Sequence, residues 1–403
     1  MFNNPPAIYE NIYYDSILFI FIIIFYPKYF ISKIYTKTNN NMEFYRVMLI
    51  VLIIILFIFV FGRLMNQRQK ILAMSNSRAI EGLQTSQTSN EVTGLSTRYE
   101  QVKIKNTIAS IQRLPLRELC IKSSYSSPWT GSIMSTEMIQ LILSRGYRYL
   151  DIPVYYGPRS EPYVCYSRDA NTIDENTIIP LKSVFDIIAS SAFSAIPPNP
   201  ADPLFIELRI IPDSTNLIYG SITSLINQIF KEKLYVDANG RAILIDGFTP
   251  LNDVMGKIIF LINITNNENF ASANQDFAFT MNGVVGGSSI GLKTYRQVAS
   301  SRKPLRKPYK VISYNMPPTT NIKNYTVLMP EINESFDIPN IYTVIMDYGI
   351  QITKMPFYVN NGMVLLYENI FDDQESAFIP MANMYINSKY YEKSKIKYGF
   401  LSF

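Results

Sequence analysis

"STEMIQLILSRGYRYLDIPVYYG", from Ser135 to Gly157, is the stretch that decides the fold. Its first half has the pattern of an amphipathic helix, and its second half, from Tyr147, has the β-branched and aromatic content of a strand. The same alternation recurs on both sides of it. Further strands are predicted at 120–124, 162–167, 203–210 and 256–263, and further helices at 181–193 and 220–233. Repeated alternation implies parallel strands with helical crossovers, hence an α/β sheet or a closed barrel.

The C-terminal half reads as richer in strand than in helix. Strands are predicted within "NYTVLMPEI" (324–332), "IYTVIMDYGIQI" (341–352) and "GMVLLYENIF" (362–371), so a barrel would be irregular there. "NGVVGGSSIG" (282–291) is rich in glycine but lacks the Lys-Ser/Thr ending of a phosphate loop. We therefore expect a flexible loop at 282–291.

The N-terminus predicts a membrane anchor. Every residue from Val47 to Phe61 is apolar, and a helix over 44–64 is about 30 Å long, enough to cross a hydrocarbon core. The domain prediction is an arm over 1–41, a transmembrane helix over 42–64 and a polar tether over 65–109. Within the arm, the apolar segment 17–26 is short, so a second span and a tilted, re-entrant or interfacial segment both stay open, as does the membrane orientation.

The 403 residues have a net charge of +5, with basic and acidic residues interspersed, which is not the pattern of a nucleic-acid-binding protein. Cys120 and Cys165 both lie in apolar runs and are expected to be buried free thiols, which favours a reducing compartment for the folded part. No histidine is present. The tail 390–403 alternates Tyr and Lys, which fits either a docking tail or a frayed terminus.

The order of several motifs resembles the catalytic barrel of phosphoinositide-specific phospholipase C. "SSYSSPWTG" (123–131) is similar to the family's first catalytic loop, and "EPYVCYSRD" (161–169) to its second histidine motif. "PLFIELR", "MGKIIFLIN" and "VLMP" follow in the family's order. The resemblance implies an irregular TIM barrel over 110–403, with an X-like half at 114–263, a linker at 264–310 and a Y-like half at 311–385 followed by a C-terminal tail.

The resemblance also shows which reactive groups are replaced. The family's two histidines correspond to Tyr125 and Arg168, and neither a phenol nor a guanidinium is a ready base near neutral pH. The family's four calcium ligands correspond to Ser126, Asp151, Pro153 and Arg209, which keep one carboxylate of three. The headgroup-binding positions correspond to Leu261, Asn263, Val327 and Met329, with Ser313 as the residue that could be kept.

We therefore expect a catalytically degenerate barrel without cofactor or metal, anchored to a lipid membrane through residues 44–64 and binding protein partners. The alternative is a metal-independent phosphodiesterase acting on phosphoinositide or glycerophosphodiester lipids, in which Arg168, Arg209 and Ser313 bind phosphate beside Asp151. A salt-bridged barrel mouth is the structural interpretation of the same charged residues. A third hypothesis is an anionic-lipid-binding module that uses the basic stretch 301–310.

The composition, rich in Asn, Ile and Tyr, resembles that of proteins of large double-stranded DNA viruses. That resemblance implies a virion protein, such as a minor capsid component that links an internal membrane to the capsid shell.

Overall fold

The structure, a computed structural model, describes residues 90–99, 101–156, 161–167, 177–211, 216–300, 324–331 and 337–387. The strands are β1 (Leu119–Ile121), β2 (Tyr149–Tyr156), β3 (Pro162–Val164), β4 (Ile179–Pro180), β5 (Leu204–Ile211), β6 (Ile258–Asn263), β7 (Gly283–Val285), β8 (Ile290–Thr294), β9 (Tyr325–Met329), β10 (Ile352–Thr353) and β11 (Phe378–Pro380). The α-helices are α1 (Ala109–Gln112), α2 (Thr136–Ser144), α3 (Leu181–Ser191), α4 (Leu217–Phe230), α5 (Phe270–Ala273), α6 (Gln275–Ala278), α7 (Tyr295–Ser300), α8 (Ile341–Tyr348) and α9 (Gly362–Asp373). Residues 90–96 and 381–387 are also helical.

Within the described part of the chain, a ring of parallel strands forms a closed barrel. The strands follow the order β2-β5-β6-β7-β8-β9-β10-β1, and a bridge between Ser123 and Tyr149 joins β1 to β2. We followed the paired residues from strand to strand around the ring, starting at Ile121. The path returns to β1 at a position eight residues further along the chain. Eight strands with a stagger of eight define the (β/α)8 barrel.

The helix and strand that decided the prediction form as the sequence implies. Ser135 caps α2, because its hydroxyl accepts hydrogen bonds from the backbone N–H groups of Glu137 and Met138. The helix buries Met138, Ile139, Ile142 and Leu143, and β2 follows as a fully buried strand up to Tyr155. Gly146 lies between them with a φ of 78°, a left-handed conformation that glycine adopts without strain.

The register also shows which side chains face the inside of the barrel. Glu207 of β5 lies opposite Leu261 of β6, and Leu261 lies opposite Gly283 of β7. A Cβ on Gly283 would lie 3.0 Å from side-chain atoms of Leu261 and Ile290. The barrel interior therefore has no room for a side chain at this position.

Two predicted strands in the C-terminal half are wrong. Residues 341–348 form α8, which Asn340 caps and which ends at Gly349, with a φ of 63°. Residues 362–371 belong to α9, whose cap is Asn361. The β-branched and aromatic residues suggested strands, but the capping residues and the burial of one helix face decide the conformation.

The linker predicted at 264–310 and the loop predicted at 282–291 are also wrong in part. Residues 283–285 and 290–294 form β7 and β8, which complete the ring between β6 and β9. Glycines masked these short strands in the sequence, since glycine is ordinarily depleted in strand interiors. The basic stretch 301–310 lies outside the described residues.

The predicted tether is wrong at its C-terminal end. Leu95 and Ile104 are buried in the main hydrophobic core. The Lys105 N–H donates to the Glu375 carbonyl at 2.9 Å, and the Thr107 N–H donates to Asp202 Oδ1 at 2.9 Å. These residues belong to the folded unit Gln84–Phe403 rather than to a polar tether.

The remaining N-terminal predictions, the arm 1–41 and the transmembrane helix 42–64, lie outside the described residues, as does the tail 390–403. Among the helices that the structure describes, none is long and apolar enough to cross a membrane. Cys120 and Cys165 are both buried thiols outside any disulfide, which confirms that prediction.

Candidate functional site

The loop after β1 lies against the barrel rather than opening a cleft. Ser123 Oγ donates to the Thr353 carbonyl at 2.6 Å, and Ser124 Oγ and Ser127 Oγ are 2.5 Å apart. Ser126 has a φ of 43°, unusual for a residue other than glycine. This backbone conformation is accompanied by a 2.8 Å hydrogen bond from the Ser126 N–H to Asp151 Oδ2.

Asp151 is the centre of a buried ion-pair cluster. Its side chain has no exposed surface. Arg209 Nε lies 2.9 Å from Oδ1 and 3.1 Å from Oδ2, and Lys354 Nζ lies 2.9 Å from Oδ1. With the Ser126 N–H on Oδ2, both carboxylate oxygens accept hydrogen bonds from groups of the protein itself.

Arg209 is fixed on three sides. Beside its contact with Asp151, its Nη2 donates to Ser126 Oγ at 2.9 Å, and its guanidinium carbon lies 4.8 Å from the centre of the Tyr125 ring. These contacts hold the guanidinium across the first loop. The structure thus brings together Tyr125, Ser126, Asp151 and Arg209, four of the residues that the sequence singled out.

Lys354 and Glu207 extend the cluster across the barrel, and neither was predicted. Lys354 Nζ donates to Glu207 Oε1 at 2.6 Å, and Asn263 Nδ2 donates to the same oxygen at 2.7 Å. The Tyr149 hydroxyl donates to Glu207 Oε2. The barrel interior therefore holds two acidic and two basic side chains. We name these four residues, Asp151, Glu207, Arg209 and Lys354, the barrel cluster.

Within the barrel cluster, the electrostatics favour the charged forms of Asp151 and Arg209. Burial alone would raise the pKa of Asp151, but Arg209 and Lys354 stabilise the carboxylate and bring that pKa down from 3.8 to about 2. Burial lowers the pKa of Arg209, whereas Asp151 and Tyr125 raise it above its ordinary value. Both groups are therefore ionised at neutral pH, and neither is poised to transfer a proton.

Tyr125 lies at the position that corresponds to the first of the two histidines in the phospholipase C motifs. It is 2% exposed, and burial, opposed in part by Arg209, raises its pKa to about 12. A phenol with that pKa is protonated at neutral pH and is a poor general base. Arg168, at the second histidine position, lies outside the described residues, as does Ser313.

The other predicted positions line the barrel strands without adding charge. Pro153 lies in β2 opposite Arg209, and Leu261 lies in β6 opposite Glu207. Val327 and Met329 are buried in β9. These apolar side chains cannot bind a phosphorylated headgroup as cationic side chains do.

A divalent metal does not fit this residue set. Calcium requires six to eight oxygen ligands, whereas Asp151 already contacts two cations and Pro153 has no side-chain donor. No group of three or more metal-ligating acids, cysteines or histidines occurs in the described part of the chain. The cavity beside Arg209, lined also by Asn263 and Met329, has a volume of about 10 Å³, about the space of a single water molecule.

Comparisons with known proteins agree with this barrel. The family model "Phosphatidylinositol-specific phospholipase C, X domain" matches residues 112–263, which confirms the resemblance over that segment. The fold is thus an α/β barrel like that of the phospholipase C phosphodiesterases. Among curated proteins, no relative matches the chain.

Several solved structures are similar to this chain. The crystal structure of L. pealei PLC21 has 18% identity and a TM-score of 0.49 over 67% of this chain, which covers 37% of that protein. A calcium-dependent phosphoinositol-specific phospholipase C from Pseudomonas sp. has 10% identity and a TM-score of 0.44, covering 70% of this chain and 99% of its own. A glycerophosphodiester phosphodiesterase from Parabacteroides distasonis has 10% identity and a TM-score of 0.36, covering 63% and 99%. These scores lie below 0.5, so the similarities carry no argument about activity.

Proposed function

We propose that this protein is a phospholipase-C-like barrel without phosphodiesterase activity, which acts as a structural or interaction module at a membrane. One observation carries the proposal: the carboxylate at the calcium-ligand position is neutralised by Arg209 and Lys354 inside the barrel. A calcium ion would have to displace two cations and recruit oxygens that this site lacks. The groups around Asp151 thus stabilise the fold instead of a reacting phosphate.

A second buried network supports this structural interpretation. Glu368 of α9 accepts hydrogen bonds from Lys122 at 3.1 Å, from Arg145 Nη2 at 2.7 Å and from the Tyr147 hydroxyl at 2.6 Å. Glu368 lies on α9, and its partner Lys122 directly precedes the first loop. The network around Glu368 resembles the barrel cluster in its side chains. Buried carboxylates with cationic and tyrosine partners therefore recur in this chain as packing elements.

The test is a cleavage assay on the full-length protein in mixed micelles of detergent and phosphatidylinositol, with calcium and with a chelator. We expect no product above the protein-free control under either condition, while the calcium-dependent Pseudomonas enzyme serves as positive control. Glycerophosphodiesters are assayed in parallel. Cleavage that persists in chelator and that Arg209→Ala abolishes would instead establish the metal-independent phosphodiesterase.

Membrane anchoring through residues 44–64 is a further part of the proposal, supported by the uninterrupted apolar run from Val47 to Phe61. We also propose a role in a virion, between an internal membrane and a capsid, on the basis of the composition. Membrane fractionation with carbonate extraction tests the first point, since an integral protein stays in the pellet. Protein identification in purified particles and in detergent-stripped cores tests the second.

A further inference from the structure

A cavity of about 440 Å³ opens on the outer face of β8 and β9. Val285, Ile290 and Tyr325 are register partners around the ring. Gly291 and Lys293 alternate with the inward-facing Ile290 and therefore face outward. Residues 286–289 join β7 to β8 without a helix, so no crossover helix between these two strands covers their outer surface. The cavity is therefore separated from the barrel cluster by the barrel wall.

The charges that line this cavity are predominantly positive. Arg117 and Lys293 both line it and form no ion pair with any residue in the described ranges. Among the residues that the structure describes, Arg117 Nε is buried and has no hydrogen-bond partner. The acid in the lining is Asp246, whose Oδ1 already accepts from the Phe248 and Thr249 N–H groups at 2.8 and 3.1 Å. Two cations thus line the cavity with one carboxylate, whose Oδ1 already accepts backbone hydrogen bonds.

The rest of the lining is suited to a polar ligand. Residues 287–289, Gly-Ser-Ser, form one wall, where a backbone without bulky side chains and two hydroxyls can approach an anion closely. Thr326 adds another hydroxyl. Phe248 is 64% exposed, and the Arg117 guanidinium carbon lies 3.9 Å from its ring centre. An aromatic face beside a guanidinium allows contact with the apolar part of a ligand.

We infer that this cavity binds a phosphate-bearing molecule, through Arg117, Lys293 and the loop 287–289. The volume falls within the usual range for small-molecule sites, so the ligand is of about sugar-phosphate size. A soluble phosphate ester and a phosphorylated lipid headgroup present the same chemistry. The inference is independent of the barrel cluster and of whether the protein is an enzyme.

The test measures binding of glycerol 3-phosphate and of inorganic phosphate to the full-length protein in detergent, by isothermal titration calorimetry. A second arm measures co-sedimentation of the protein with phosphatidylcholine vesicles, with and without phosphatidylinositol 4-phosphate. We expect saturable binding in at least one arm, and a loss of tenfold or more in Lys293→Met, since a charge-assisted hydrogen bond is removed. Phosphate binding identifies a soluble ligand as the source, and headgroup-dependent binding without it identifies the lipid.

Two variants make the result decisive. Lys231→Met, which removes an exposed cation just after α4, is the matched control and should bind as the wild type. Ser288→Glu places a carboxylate on the exposed loop and should abolish binding while leaving the urea unfolding midpoint unchanged. The inference is overturned if neither arm saturates up to about 10 mM phosphate, or if Lys293→Met and Lys231→Met bind equally.

Discussion

Replacing Lys354 by Met should destabilise the barrel far more than the removal of a surface lysine. Lys354 Nζ lies 2.9 Å from Asp151 Oδ1 and 2.6 Å from Glu207 Oε1, and none of the three side chains is exposed. Met has a similar length without charge, so the variant leaves the Glu207 carboxylate buried with only the neutral donors Asn263 and Tyr149. Removing one partner of a buried ion pair costs about 3–5 kcal/mol.

A matched exposed pair provides the control for this prediction. Lys182 and Asp186 form an i,i+4 ion pair with side chains 55% and 49% exposed, and Lys182→Met should cost less than about 1 kcal/mol. Adding Glu207→Gln to Lys354→Met removes the unpaired charge and should recover about 0.5–3 kcal/mol, the usual coupling energy between contacting residues.

The assay is urea unfolding of the full-length protein in detergent, followed by fluorescence of Trp129. This residue is the single tryptophan of the chain and stacks on Tyr166 with ring centres 4.4 Å apart. A free energy of unfolding for Lys354→Met within about 1 kcal/mol of the wild type would refute the reasoning. The absence of any recovery in the double variant with Glu207→Gln would refute it as well.

The remaining predictions concern pH, the packing of the N-terminal segment and the thiols. The pKa of Asp151 is about 2 in the folded protein, against an ordinary 3.8. Its contribution to the stability of the fold is therefore fully present above about pH 4 and is lost as the pH falls towards 2. The free energy of unfolding, measured by urea titration over that range, should therefore decline by about 2 kcal/mol from this carboxylate. Asp151→Asn should lack this part of the decline, and an equal decline in the variant would contradict the prediction. Gly146→Ala should lower the thermal unfolding temperature more than Gly256→Ala. Both glycines have positive φ, but a Cβ at 146 would lie 2.8 Å from the Ile104 side chain, whereas one at 256 meets nothing within 4 Å. Equal losses would show that segment 101–109 does not pack there. Cys120 and Cys165 are buried, and burial raises the pKa of Cys120. A thiol reagent should therefore label both residues only after unfolding. Labelling in native buffer would count against their burial.

The sequence predicted the half of the barrel in which strands and helices alternate clearly. β2, β5 and β6 are long, buried and β-branched, and α2 and α3 have one apolar face, so local pattern and tertiary structure agree. β7 and β8 could not be predicted, because three- and five-residue strands with glycines give no periodic signal.

The site was predictable only where a family motif marked it. Asp151 and Arg209 were singled out by the resemblance, and their contact follows from neighbouring positions on paired strands. Glu207 carried a signal of its own, since it lies two residues before Arg209 and so shares its face of β5. Lys354 carried none, because its partners lie 203 and 147 residues away in the sequence, and only the closure of the ring brings them together.

Calcium titration of the full-length protein in detergent tests the central claim most directly. In isothermal titration calorimetry, the wild type should show no saturable calcium binding that depends on Asp151, because Arg209 and Lys354 already neutralise that carboxylate. Asp151→Asn should give the same trace as the wild type. Saturable binding of calcium by the wild type that Asp151→Asn removes would contradict the claim and would place a functional metal site in this barrel.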